Sequence, residues 1–148
     1  MTLCAHDRMC IFGVIDQMKM RLSAIGEIVA SCWKQIPQHF PVLLDEWVVM
    51  PNHMHAIIVM RDGPDRVEPV KRPLGVIIGA FKAAATKRVN ALHGERASPL
   101  WQRNFYEHVM RNEADLGRVR QYIVDNPIRW ADDPENPNVI AGGNHPFA

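Results

Sequence analysis

Apolar residues recur along the chain with two periods, and the switches between them mark out the elements. Leu3–Ala5 reads as the end of a strand, and Ile11–Ile15 with Met18–Leu22 reads as a hairpin turning at Asp16-Gln17. Ser23 is placed to cap a helix whose apolar positions Ile25, Ile28, Val29, Cys32, Trp33 and Ile36 keep helical spacing until Pro37. Two apolar runs, Val42–Met50 and His53–Met60, flank the Pro51-Asn52 break and predict two strands joined by a tight turn. Arg61–Pro73, rich in Asp, Arg and Pro, reads as a loop. Leu74–Leu92 predicts a second helix, and Leu100–Val109 an extended segment or strand. Asn112 caps a third helix with Leu116, Val119 and Ile123 as its buried stripe, stopped after Asn126 by Pro127. Beyond Trp130 there is no periodicity, so that tail is expected to be irregular and frayed. The order β, hairpin, α, β, β, α, β, α predicts an α+β fold: a ferredoxin-like split βαβ with an antiparallel sheet and helices packed on one face.

The second strand of the central pair opens with His53 and His55. Side chains alternate along a strand, so both imidazoles leave the same face, about 7 Å apart, while Met54 points into apolar packing. They are either two polar residues at a strand end or half of a metal site. The third helix carries candidates for the other half. Tyr122 and Asn126 sit one turn apart on one helix face. Asn126 can offer a carbonyl oxygen to a hard cation, and Tyr122 a phenol that can act as a nucleophile. The competing readings are a packing tyrosine and a helix terminator.

Composition and charge narrow the class. The chain has 148 residues, 47% hydrophobic and 22% charged, an ordinary balance for one globular domain. No apolar run approaches the roughly 20 residues that cross a bilayer, so no membrane partner is expected. Three cysteines, odd in number and without Cys-x-x-Cys spacing, point to a reducing cytoplasm. Residues 71–129 hold 11 Lys/Arg against 5 Asp/Glu, a footprint for a polyanion or a solvated basic face.

The blocks Trp-Val-Val-Met-Pro-Asn-His-Met-His (47–55), Gly75–Lys87, Trp-Gln-Arg-Asn-Phe-Tyr-Glu-His-Val-Met-Arg-Asn-Glu (101–113) and Tyr-Ile-Val-Asp-Asn-Pro (122–127) resemble, in the same order, the REP-associated tyrosine transposases. These belong to the insertion-sequence-200-like HUH single-tyrosine transposases. The resemblance implies a transposase domain over residues 3–130, its first strand cut short, and an irregular tail over 131–148. It implies that His53 and His55 bind Mg²⁺ or Mn²⁺ with Asn126 as a third ligand, and that Tyr122 is the nucleophile. Tyr106 is a rival nucleophile. The implied reaction cleaves and rejoins single-stranded DNA through a 5′-phosphotyrosine at hairpin-forming repeats, with the chain as monomer or homodimer. Lys82, Lys87, Arg88, Arg103 and Arg111 are the expected DNA contacts, with Trp101, Phe105 and Tyr106 nearby as either base-stacking or packing residues and His108 as either a phosphate contact or a strand cap. Two alternatives stand: a hairpin DNA or RNA binder without catalysis, and a zinc hydrolase, the latter disfavoured because no carboxylate lies at ligand spacing from the histidines.

Overall fold

The computed structural model describes residues 1–61, 74–94 and 98–139. A three-stranded antiparallel sheet, in the order β1-β5-β4, is formed by β1 (Thr2–Cys4), β4 (Val42–Val49) and β5 (His53–Met60). A separate hairpin pairs β2 (Gly13–Asp16) with β3 (Lys19–Leu22). Its loop is Gln17-Met18, one residue later than the sequence suggested. Both loop residues have positive φ, 48° and 61°, the twist that a two-residue hairpin requires.

The helices are α1 (Ala24–Lys34), α2 (Ile36–His39), α3 (Leu74–His93) and α4 (Glu113–Asp125). Ser23 caps α1, its Oγ accepting from the Gly26 amide at 3.1 Å. Gly26 is the one residue that fits there, since a Cβ would stand 2.0 Å from the Phe12 carbonyl oxygen. Pro37 ends the α1 pattern by opening the short α2, where its missing N–H costs nothing. Asn112 caps α4 by accepting from the Asp115 amide at 2.8 Å.

Leu3, Met54 and Ala56 pack with Val29 and Trp33 of α1 and with Ile77, Ile78 and Phe81 of α3 in the main core. The alternate positions of β5 are buried too: His53, His55 and Ile57 are almost wholly covered. A strand buried on both faces needs cover on both. Here α1 and α3 supply one layer, and α4, which packs on β4 and β5, lies across the imidazole side. The expected antiparallel sheet and helical layers are present, with the helices divided between the faces.

The 101–106 segment, read as an extended segment or strand, is extended but not a regular strand. It touches β1 only through the bridges Ala5–Trp101 and Thr2–Tyr106. Two more residues lie between Trp101 and Tyr106 than between Ala5 and Thr2, so the ladder breaks in between. Most of the Arg61–Pro73 loop (residues 62–73) lies outside the described residues.

Candidate metal and tyrosine site

The turn Pro51-Asn52 delivers His53 and His55 to the start of β5, the central strand, where both neighbours hold the backbone. The two Nε2 atoms point at each other across 3.0 Å, and the rings meet edge to face with centroids 4.6 Å apart. Behind each ring stands a polar partner. His53 Nδ1 lies 2.9 Å from Asn52 Oδ1, and His55 Nδ1 lies 2.8 Å from Thr2 Oγ1. Thr2 is the residue of β1 directly opposite His55 in the register, which places both side chains on one face.

Tyr122 comes to this pair from α4, its ring edge-on to His55 at 5.2 Å between centroids. Burial pushes the phenol above its ordinary pKa, Asp133 adds to that, and a hydrogen bond with Asn126 acts the other way. Asn126, which caps the C-terminus of α4, is 1% exposed, and its Oδ1 has no hydrogen-bond partner. Among the described residues only Trp33 Nε1 and Trp101 Nε1 share that condition. A buried amide oxygen without a donor is costly unless something else takes its lone pairs. A divalent cation would do so.

The expectation that no carboxylate accompanies the histidines is corrected by Asp133. Its Oδ2 lies 3.8 Å from His53 Nε2, with the aspartate side chain 3% exposed and the histidine 0%. His53, His55 and Asp133 can present ligand atoms that all lie within 4.8 Å of one another. One ion with bonds of about 2.1 Å gathers such a set with small side-chain adjustment. Two imidazole nitrogens and a carboxylate therefore fit a divalent cation.

Asp133 belongs to the segment expected to fray, and that expectation is also corrected. Residues 130–139 fold back onto the site. Asn136 Nδ2 donates to the Trp130 carbonyl at 2.8 Å, Asp133 Oδ1 accepts from the Glu135 amide at 2.8 Å, and Asn52 Nδ2 donates to the Glu135 carbonyl at 2.7 Å. Arg8 Nε reaches the Glu135 carboxylate at 3.3 Å. No periodicity could reveal this, because each contact is polar and distant in sequence. The acids Asp132, Asp133 and Glu135, with no Lys or Arg among residues 130–139, are the one visible signal.

The basic candidates do not form one patch. Lys82, Lys87 and Arg88 are on α3, on the other side of the sheet from the imidazoles. Lys82 Nζ donates to the carbonyls of Gln102 and Asn104 at 2.8 and 3.1 Å, and Arg88 donates to Gln35 Oε1 at 2.8 Å. Arg103 and Arg111 are exposed on the segment leading to α4. Trp101 is buried against Phe12 and Phe81, at 5.1 and 5.5 Å, and belongs to the core. Phe105 is partly buried against that core. Tyr106 is 45% exposed, and with His108, Met110, Val119, Tyr122 and His55 it lines a pocket beside the tyrosine. His108 Nε2 lies 3.0 Å from Asp115 Oδ2 of α4.

Fold and site together define an antiparallel α+β domain in which a strand-borne imidazole pair faces a helix-borne tyrosine. No protein-family model matches the chain. It is 35% identical over 147 residues to an uncharacterized protein of Haemophilus influenzae, covering 89% of this chain and 81% of that one. It is 25% identical over 122 residues, 77% of this chain, to another Haemophilus influenzae protein provisionally named a REP-associated tyrosine transposase. A REP-associated tyrosine transposase of Escherichia coli shares 28% identity over 89 residues, 60% of this chain. The chain spans 65% and 46% of these two named relatives, under two thirds of each. Its fold matches that of a REP-associated tyrosine transposase bound to a REP hairpin, with a TM-score of 0.56 at 21% identity over 86% of this chain and 64% of the other. The chain is thus similar in sequence to proteins named REP-associated tyrosine transposases, and it shares the fold of one of them. No described helix is long and apolar enough to cross a membrane.

Proposed function

We propose that the protein is a metal-dependent strand transferase acting on single-stranded DNA at hairpin-forming repeats. The observation that carries this reading is the 5.2 Å approach of the Tyr122 ring to the His55 ring within one chain. His53, His55, Asp133 and Asn126 would hold Mg²⁺ or Mn²⁺, which supplies positive charge to polarise a phosphodiester. Tyr122 Oη attacks phosphorus and gives up its proton as the bond to the 3′ oxygen breaks. The products are a 5′-phosphotyrosine and a 3′-hydroxyl that takes up a proton. The covalent link conserves the phosphodiester bond energy, so a second 3′-hydroxyl can be joined by the reverse attack. Arg103 and Arg111 flank Tyr106 on the segment beside Tyr122 and suit the strand that enters the site. Lys87 and Arg88, behind the sheet, are left a distal role on the same nucleic acid, and Lys82 a smaller one. The setting is the cytoplasm, where the free thiols of Cys4, Cys10 and Cys32 stay reduced.

Asp133 favours a second reading, since two histidines and a carboxylate with an open position also suit a hydrolytic zinc ion. One experiment separates the possibilities. The protein is incubated with single-stranded hairpin DNA and Mn²⁺ and run on a denaturing gel. A covalent adduct lost in Tyr122→Phe but kept in Tyr106→Phe supports the transferase. Cleavage that survives Tyr122→Phe supports the hydrolase. A shift on a native gel with no adduct supports a binding protein.

A further inference from the structure

The side chains behind the two imidazoles determine where each ring carries its proton. Asn52 is 1% exposed, and its amide is oriented by two carbonyls: Nδ2 lies 3.1 Å from the Arg8 oxygen and 2.7 Å from the Glu135 oxygen. An amide oxygen in that position would face two acceptors, so the nitrogen must sit there and Oδ1 must face His53. His53 Nδ1, 2.9 Å from that oxygen, is therefore the donor and carries the proton. In the neutral ring Nε2 is then bare and aimed at His55.

His55 has a different kind of partner. The 3.0 Å contact between the two Nε2 atoms needs one proton, and His53 has none to give there. It comes from His55, whose Nδ1 is then bare and accepts from the Thr2 hydroxyl at 2.8 Å. For both Nε2 lone pairs to serve a cation, the His55 proton must instead reside on Nδ1 and be donated to Thr2. A hydroxyl can turn from donor to acceptor, whereas the locked Asn52 amide cannot.

We infer that Asn52 and Thr2 are positioning residues with distinct duties: Asn52 permanently holds the His53 Nε2 lone pair toward the ligand position, and Thr2 lets His55 exchange its ring proton between the two nitrogens as a cation is bound or released. This rests on reading the pair as a cation site. It assigns Thr2 to the site although it lies on another strand, far from the histidines in sequence. The Glu135 carbonyl on Asn52 also ties the fold of the 130–139 segment to the orientation of His53.

The test uses the full chain. Long-range ¹H–¹⁵N correlation of the histidine rings in metal-free protein should show the proton of His53 on Nδ1 and that of His55 on Nε2. Titration with Mn²⁺, followed by electron paramagnetic resonance of the free ion, should show Thr2→Val weakening binding about tenfold or more, with Thr2→Ser restoring it. Thr2→Val keeps the shape and the β1 backbone, and its unfolding temperature is measured alongside. A His53 ring protonated on Nε2, or equal Mn²⁺ affinity in Thr2→Val and wild type, overturns the inference while leaving the cation site standing. A wild type that binds no Mn²⁺ overturns the cation reading itself.

Discussion

Asp133 places a carboxylate oxygen 3.8 Å from His53 Nε2, with both groups buried and the two residues on different sides of α4 in the chain. That gap is too long for a hydrogen bond and short enough for one ion to be shared. Asp133→Asn keeps the shape and removes the charge. It should weaken Mn²⁺ binding about tenfold or more, read by isothermal titration, while leaving the unfolding temperature of the metal-free protein nearly unchanged. Unaltered Mn²⁺ affinity would remove Asp133 from the ligand set.

Lys82 was a candidate DNA contact, yet its ammonium is half-buried, caps two carbonyls and lies over the Phe105 ring, 5.7 Å from its centre. Burial lowers its pKa. Lys82→Met should destabilise the fold by about 1–2 kcal/mol by leaving those carbonyls without a donor. Lys87→Ala, at an exposed position, should leave stability unchanged. Denaturant unfolding of the two variants checks this, and a Lys82→Met protein as stable as wild type would return Lys82 to the list of free cations.

The fold is held chiefly by the core between the sheet and α1 with α3. Trp33 is wholly buried and packs edge-on against Phe81 at 5.1 Å. Trp33→Ala should cost about 3–5 kcal/mol, measured by urea unfolding. A loss under 1 kcal/mol would mean the core closes around the deletion.

Arg120 holds α4 to β4 through a fork on Asp45, its Nε donating to Oδ1 at 2.9 Å and its other arm engaging Oδ2. The Arg120 hydrogen bond keeps the Asp45 carboxyl below its ordinary pKa, outweighing burial. A depressed folded-state pKa contributes stability that is present above the unfolded value, near 4, and is lost as pH falls through the folded one. The gap in unfolding temperature between wild type and Asp45→Asn should thus be full at pH 6 and shrink below about pH 4. A gap that stays constant to pH 2 would contradict the pairing.

What the sequence shows well is local. The Asn112 cap, the Ser23 cap, the Pro51-Asn52 turn and the alternation that puts His53 and His55 on one face all depend on residues within a turn or two. The pairing of Tyr122 with Asn126 on one face is likewise fixed by helical spacing. Asp133 and Thr2 are different: each meets an imidazole only because β1 pairs beside β5 and the 130–139 segment folds back onto the site, and neither carries a periodic signal. The aromatic block at 101–106 misleads for a related reason. Trp101 looks equally apt for stacking or core, and only its contacts with Phe12 and Phe81 decide. His53, His55 and Ile57 share parity along β5, which already hinted that a layer must cover their face.

The most direct measurement is the identity of the tyrosine that becomes covalently linked to DNA. Trypsin separates the two candidates, since cleavage after Arg103 and Arg111 leaves Tyr106 in Asn104–Arg111, and cleavage after Arg120 and Arg129 leaves Tyr122 in Gln121–Arg129. After reaction with hairpin DNA and Mn²⁺ and nuclease trimming, mass spectrometry should find a nucleotide on the Gln121–Arg129 peptide. A nucleotide on Asn104–Arg111, or cleaved DNA with neither peptide modified, would contradict it.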